Sequence, residues 1–184
     1  EGGEVEYGPV WSYTTMAAWQ AVDSGLWPEP LGESAQQYPV IRLKTAHLDA
    51  LRNSDDPALL ERTVAAMEED ERALAENLAI SAPDDRTTMP WARRWIEQVE
   101  ALQILASGNV AGGLAALRAA AEAESALPAA FGPPVMPKPS WELLGERLLG
   151  LERADEAAEA FRKSLEFAPA RRLSLAGLAR AEGD

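Results

Sequence analysis

Thirty acidic side chains, one histidine and no cysteine bound the chemistry open to this 184-residue chain. Without a thiol there is no disulfide, no thiolate metal site and no thiol nucleophile. A hydrolase or transferase needs a nucleophile with an activating base, and His47 is the sole imidazole. Its spacing with Leu43, Ala46, Ala50 and Leu51 sets it beside an apolar helical face. No Ser or Asp is tied to it by a motif, so a packed histidine is expected. The run from Glu68 to Glu71 could attract a divalent cation, but consecutive helical residues point in different directions and cannot converge on one ion. Nothing singles out two acids for paired-carboxylate hydrolysis. The expectation is therefore no catalytic residue, no metal and no cofactor.

Binding is better supplied. Trp11, Trp19 and Trp27 lie in the least regular part of the chain, where a tryptophan left open in a groove would anchor a peptide; packing is the first expectation for them, as it is for Trp91, Trp95 and Trp141. A formal charge of −13 leaves no concentrated basic face for nucleic acid. Basic residues come as pairs, Arg93-Arg94, Arg162-Lys163 and Arg171-Arg172. Solvated helix surface is the first expectation for all three; the last opens a helix, where positive charge opposes the dipole, so an acidic partner or an intramolecular Glu is the second reading there.

The elements that must position these residues are helical. Hydrophobic residues make up 47% of the chain, with abundant Ala and few β-branched runs, which favours helix over strand. No apolar run approaches the roughly 20 residues of a membrane helix, so no membrane insertion is expected. Residues 1–10 read as an extended or disordered segment, and 11–184 as one helical domain of seven or eight helices. A first helix runs from Trp11 to Ser24, and a second from Gln36 to Asn53. Asp56-Pro57 caps and opens a third. Pro90 opens a fourth ending at Gly108, and Asn109 to Glu124 forms its partner. Leu127 to Pro139, with five prolines and Gly132, is irregular. Glu1 in place of Met is compatible with a removed leader or with a piece of a longer protein, leaving the compartment open.

The most specific pattern is Trp141-x-x-Leu144-Gly145-x-x-Leu148, then Ala157-x-x-x-Phe161 and Pro169. Trp141, Leu144 and Leu148 share one face of a first helix, Ala157 and Phe161 one face of a second; Gly145 permits close approach and Pro169 stops the chain. This spacing resembles the tetratricopeptide (TPR) signature, with Leu148 where an aromatic is usual. The clearest repeat spans 138–171. A divergent one spans 94–127, with Gly113 replacing Ala and Glu97 in the place of Trp141, and a closing helix covers 171–181. Residues 131–184 are similar to the C-terminal end of a group of bacterial TPR proteins; Gly25-Leu26-Trp27 is a weaker match to an earlier helix of that group.

The resemblance implies an all-α superhelix of antiparallel helix pairs that binds protein or peptide without catalysis, as part of a larger protein. Chaperone-binding members of the superfamily hold a carboxylate with Lys and Asn on the inner face. The matching positions here carry Glu142 and Glu146, which points instead to a cationic segment. Those two residues, one turn apart, together with Gln98 and Leu102 of the divergent repeat, are the expected groove. The rivals are a structural domain packed on the rest of its own chain, which a broad apolar patch on the N-terminal helices would favour, and an enzyme with a site near Pro133-Pro134.

Overall fold

The computed structural model describes residues 7–27, 36–128 and 135–183, and in them the chain forms eight α-helices and no strand. They are α1 (Tyr7–Ser24), α2 (Pro39–Arg52), α3 (Pro57–Ser81), α4 (Thr88–Ala106), α5 (Val110–Ser125), α6 (Ser140–Gly150), α7 (Ala154–Phe167) and α8 (Arg172–Glu182). The Pro133-Pro134 pair lies outside the described residues.

Local chemistry sets most of the boundaries. Asp56 accepts from the Leu59 amide with Pro57 at the first helical position, and Asn109 accepts from Gly112 at the start of α5. The Asp85 carboxylate gathers the amides of Thr87 and Thr88 and the Thr88 hydroxyl at 2.7–2.9 Å as α4 begins, and these bonds hold its carboxyl down at about 2. Helix α2 starts at Pro39 rather than Gln36, and two other helices reach further back than expected. Tyr7 to Val10, the first described residues, belong to α1 and are helical rather than extended, and α4 starts two residues before Pro90. Pro90 stands at the third position of α4, where its missing N–H forfeits no intrahelical bond.

Each helix packs on its successor, and α2 also meets α4 while α6 meets α8. One apolar core joins them, from Ile41, Leu43 and Leu60 through Trp95, Ile96 and Leu102 to Leu117, Leu144, Leu148 and Phe161. Fully burying side chains of this size contributes roughly 1.5–3 kcal/mol each. Phe161 sits where α6, α7 and α8 meet. A methyl group on Gly145 would come within 2.8 Å of its ring, and one on Gly177 within 2.3 Å. Both glycines therefore make room for the same phenylalanine, Gly145 as expected and Gly177 in addition.

The turns inside α4–α5 and α6–α7 share one construction. In each, the second residue past the helix is left-handed: Gly108 at φ +89° in one, Glu152 at φ +59° in the other. Glycine adopts that region freely, whereas a side chain is strained there.

Candidate functional site

The residues expected to line an open groove are mostly inside. Gln98, Leu102 and Glu142 are wholly buried, and only Glu146 keeps substantial exposure. This corrects the expectation of two bare carboxylates side by side. The α6 face that carries Glu142 is covered by α8, and the α4 face that carries Gln98 is covered by α2 and by the segment Lys138–Ser140. Lys138 also lies 3.3 Å from Glu142 and pairs with Glu146, so the two acids share a cation.

What these positions build is a buried polar chain. The Gln98 amide nitrogen donates to the Lys138 carbonyl and the Ser140 hydroxyl, at 2.9 and 2.7 Å. A carbonyl only accepts, so the amide is oriented, and its oxygen faces His47 Nε2 at 2.7 Å. His47 therefore carries its proton on Nε2, and its buried Nδ1 has no partner. Burial, only partly opposed by Gln98, pushes the imidazole down to about 4, so it is neutral at pH 7.

Further along, Glu142 accepts two bonds of 2.8 Å from Arg171 and one of 2.6 Å from Ser174. Burial alone would raise this carboxyl, but Arg171, Lys138 and Ser174 outweigh it and hold it below the ordinary 4.5. Arg171 also donates to the Pro137 carbonyl at 3.0 Å and lies 3.5 Å from Asp23 of α1. Glu142 is thus the intramolecular acid that offsets a cation at the start of α8.

Lys44, which carried no signal in the sequence beyond its place in a helical pattern, is a further buried cation, besides Lys138 and Arg171. Its Nζ donates to Thr15 Oγ1 at 2.6 Å and stands 3.3 Å from the centre of the Trp11 ring, with Trp95 at 5.8 Å. Burial pushes the amine down to about 7. Trp11 is thereby explained: it covers a cation.

A concave site lies elsewhere. A pocket of about 440 Å³ opens between α1, α4, α6 and α7, walled by Trp19, Trp91, Trp141 and Phe167, with Val135 and Met136 along one side. Trp141 is held in place by donating from Nε1 to Ser125 Oγ at 2.9 Å and by Lys163, 4.4 Å from its ring centre. Trp19 is held by the Arg171 guanidinium, 5.0 Å from its ring. Phe167 stands 63% exposed at the rim. The polar lining is Glu124, Ser125, Ser164 and Arg171. Glu124 accepts from the Ser140 amide at 2.9 Å, and burial raises its carboxyl against that hydrogen bonding.

No family model, curated protein or solved structure matches the chain.

Among the described residues no three His, Cys, Asp or Glu side chains group as metal ligands, and no helix is long and apolar enough to cross a membrane. The pocket joins residues that sequence reasoning kept apart. In the sequence, packing is the first expectation for Trp19, Trp91 and Trp141 alike, with binding the second reading for Trp19 alone, and Glu124 is only the end of a helix. The available signal was the conjunction of tryptophans with the irregular proline segment that must cross near them.

Proposed function

We propose that this chain is a non-catalytic interaction module, a TPR-like stack of helix pairs that receives a segment of a partner protein in the tryptophan-walled pocket. The pocket is the observation that carries the reading. It is concave, mostly apolar and aromatic, it lies between helices, and it has a small polar edge, which is the composition of a recognition site. Support for the repeat architecture comes from the signature residues around Phe161, the matched turns at Gly108 and Glu152, and the order in which the helices pack. The groove on the Glu142 face has no part in it.

Selection of displayed random peptides against the intact chain tests this. Peptides are expected whose binding is lost in Trp19→Ala and Phe167→Ala variants that keep the circular dichroism of the parent. Failure to select any binder, or selection of binders indifferent to both substitutions, would remove the pocket from the proposal.

A second reading rests on α1, where Tyr13 and Met16 are 51% and 65% exposed one turn apart. That face would pack against another part of a longer chain. Replacing both by Ser would then lower the stability of the longer protein but not of this domain.

A further inference from the structure

We infer that α1 is a latch: it docks on the other helices and leaves them as a unit, the tryptophan pocket is complete only while it is docked, and a ligand in the pocket and α1 hold each other in place. The inference rests on the interaction reading above and names the regulation of that site.

Helix α1 is the least committed to the core. Its buried stripe is Val10, Thr14, Ala18 and Ala21. Of these only Val10 enters the apolar core, to which α4 contributes Trp95, Ile96, Val99 and Leu102. Alanine and threonine remove little apolar surface from water, so burying this stripe stabilises docking far less than a stripe of large side chains would. Among the described residues, the packing of α1 on α2 is the sparsest between any two successive helices.

The contacts that fasten it among the described residues form a clasp at each end. Near its start, Lys44 Nζ lies 3.3 Å from the centre of the Trp11 ring and donates to Thr15 Oγ1 at 2.6 Å, while Tyr7 meets Tyr38 edge-on at 5.2 Å. At its end, the Arg171 guanidinium lies 5.0 Å from the Trp19 ring and 3.5 Å from Asp23, and Arg172 donates to the Asp23 carbonyl at 2.5 Å. That carbonyl belongs to the last turn of α1, where helix carbonyls lack intrahelical partners and the dipole presents its negative end. Arg172, whose charge opposes the dipole of the helix it opens, therefore suits the helix it reaches, and it ties the first helix to the last. A helix held by such clasps more than by apolar burial opens at a lower free energy than the whole fold.

The pocket gives that opening a consequence. Trp19 is one of its walls and comes from α1, whereas Trp91, Trp141 and Phe167 come from α4, α6 and α7. With α1 away, the Trp19 wall is gone and the site is an open face. A ligand that touches Trp19 favours the docked state, and by linkage docking favours the ligand to the same degree.

Amide-resolved hydrogen exchange on the intact chain tests this, together with fluorine relaxation dispersion of the chain labelled with 5-fluorotryptophan. The amides from Trp11 to Ser24 are expected to exchange through one shared opening, at least about tenfold faster than the protected amides of α4 and α6. Arg172→Ala removes an exposed clasp outside the pocket lining and should speed all of them by about fivefold while α4 and α6 keep their rates. Trp11→Ala, at the opposite end, should act on the same amides. The fluorine signals of Trp19, Trp91 and Trp141 should then report one common process whose open population rises in both variants. Exchange of α1 no faster than that of α4 and α6, a response confined to the turn that carries the substitution, or a process seen at Trp19 but not at Trp91 and Trp141 would overturn the inference. Selected peptides that need Trp19 should slow the exchange of α1; if they bind and leave it unchanged, the inference is overturned while the interaction reading stands. If no peptide is selected, the interaction reading falls, and the exchange and fluorine results by themselves uphold or overturn the latch.

Discussion

The two ends of this chain bury charge in opposite ways. Around α6 and α8, Glu142 is wholly buried but stays ionised, because Arg171 meets it with two hydrogen bonds and Ser174 adds a third. Around α1, α2 and α4, Lys44 and His47 are equally buried and paired with no carboxylate among the described residues, and their pKa values fall to about 7 and 4. A buried ion keeps its charge when a counter-ion is built next to it, and otherwise sheds it. The C-terminal end is thereby fixed by electrostatic pairing, and the N-terminal end is made sensitive to protons.

Breaking the paired end should give the largest effect. Arg171→Met leaves Glu142 buried with Lys138 and Ser174 alone, and the expected loss is about 3–5 kcal/mol by denaturant unfolding. Changing Glu142 to Leu in the same chain should restore much of it, since the uncompensated charge is then gone. A loss under 1 kcal/mol for Arg171→Met would mean that the pair is dispensable.

Acid separates the two regions. His47 has a folded pKa of about 4 against an ordinary 6.5, so the unfolded chain takes the proton first. Its contribution is complete above pH 6.5 and is lost as pH falls toward 4, by up to about 3 kcal/mol. The depressed Glu142 carboxyl contributes above its ordinary 4.5 and loses that contribution only as pH falls below it. Between pH 4.5 and 6.5 the decline in stability should therefore disappear in His47→Gln and persist in the Glu142→Leu, Arg171→Met double variant.

Lys44→Met sharpens the contrast on the alkaline side. The amine's folded pKa of about 7 lies below its ordinary 10.5, so it penalises the fold fully below about pH 7 and the penalty fades as pH rises to 10.5. Methionine should raise stability at pH 6 by about 1–3 kcal/mol and abolish the upward slope between pH 7 and 10. The Trp11 ring, which favours the charged amine, keeps the gain in the lower part of that range. A variant less stable than the parent at pH 6 would show that the cation–π contact outweighs desolvation.

The smallest effects belong to the matched turns. Gly108→Ala forces a side chain into the left-handed region and should cost about 1–2 kcal/mol, whereas Glu152→Gly should gain up to about 1 kcal/mol. Thermal unfolding of the two variants should move in opposite directions.

The sequence by itself determined what is local. Helix positions followed from apolar periodicity, Asp56-Pro57 from capping chemistry, and the close approach at Gly145 from signature spacing, because each depends on residues within a few turns of one another. Even the acid answering Arg171 could be anticipated as a type, since a cation at a helix start needs one. Which acid it was, and that this closed the expected groove, was decided by α8 folding over α6. Likewise only packing brought Lys44 under Trp11 and placed Trp19, Trp91, Trp141 and Glu124 around one pocket. Those residues come from helices far apart in the chain, and side-chain periodicity reports which face of a helix is buried but not which other helix buries it.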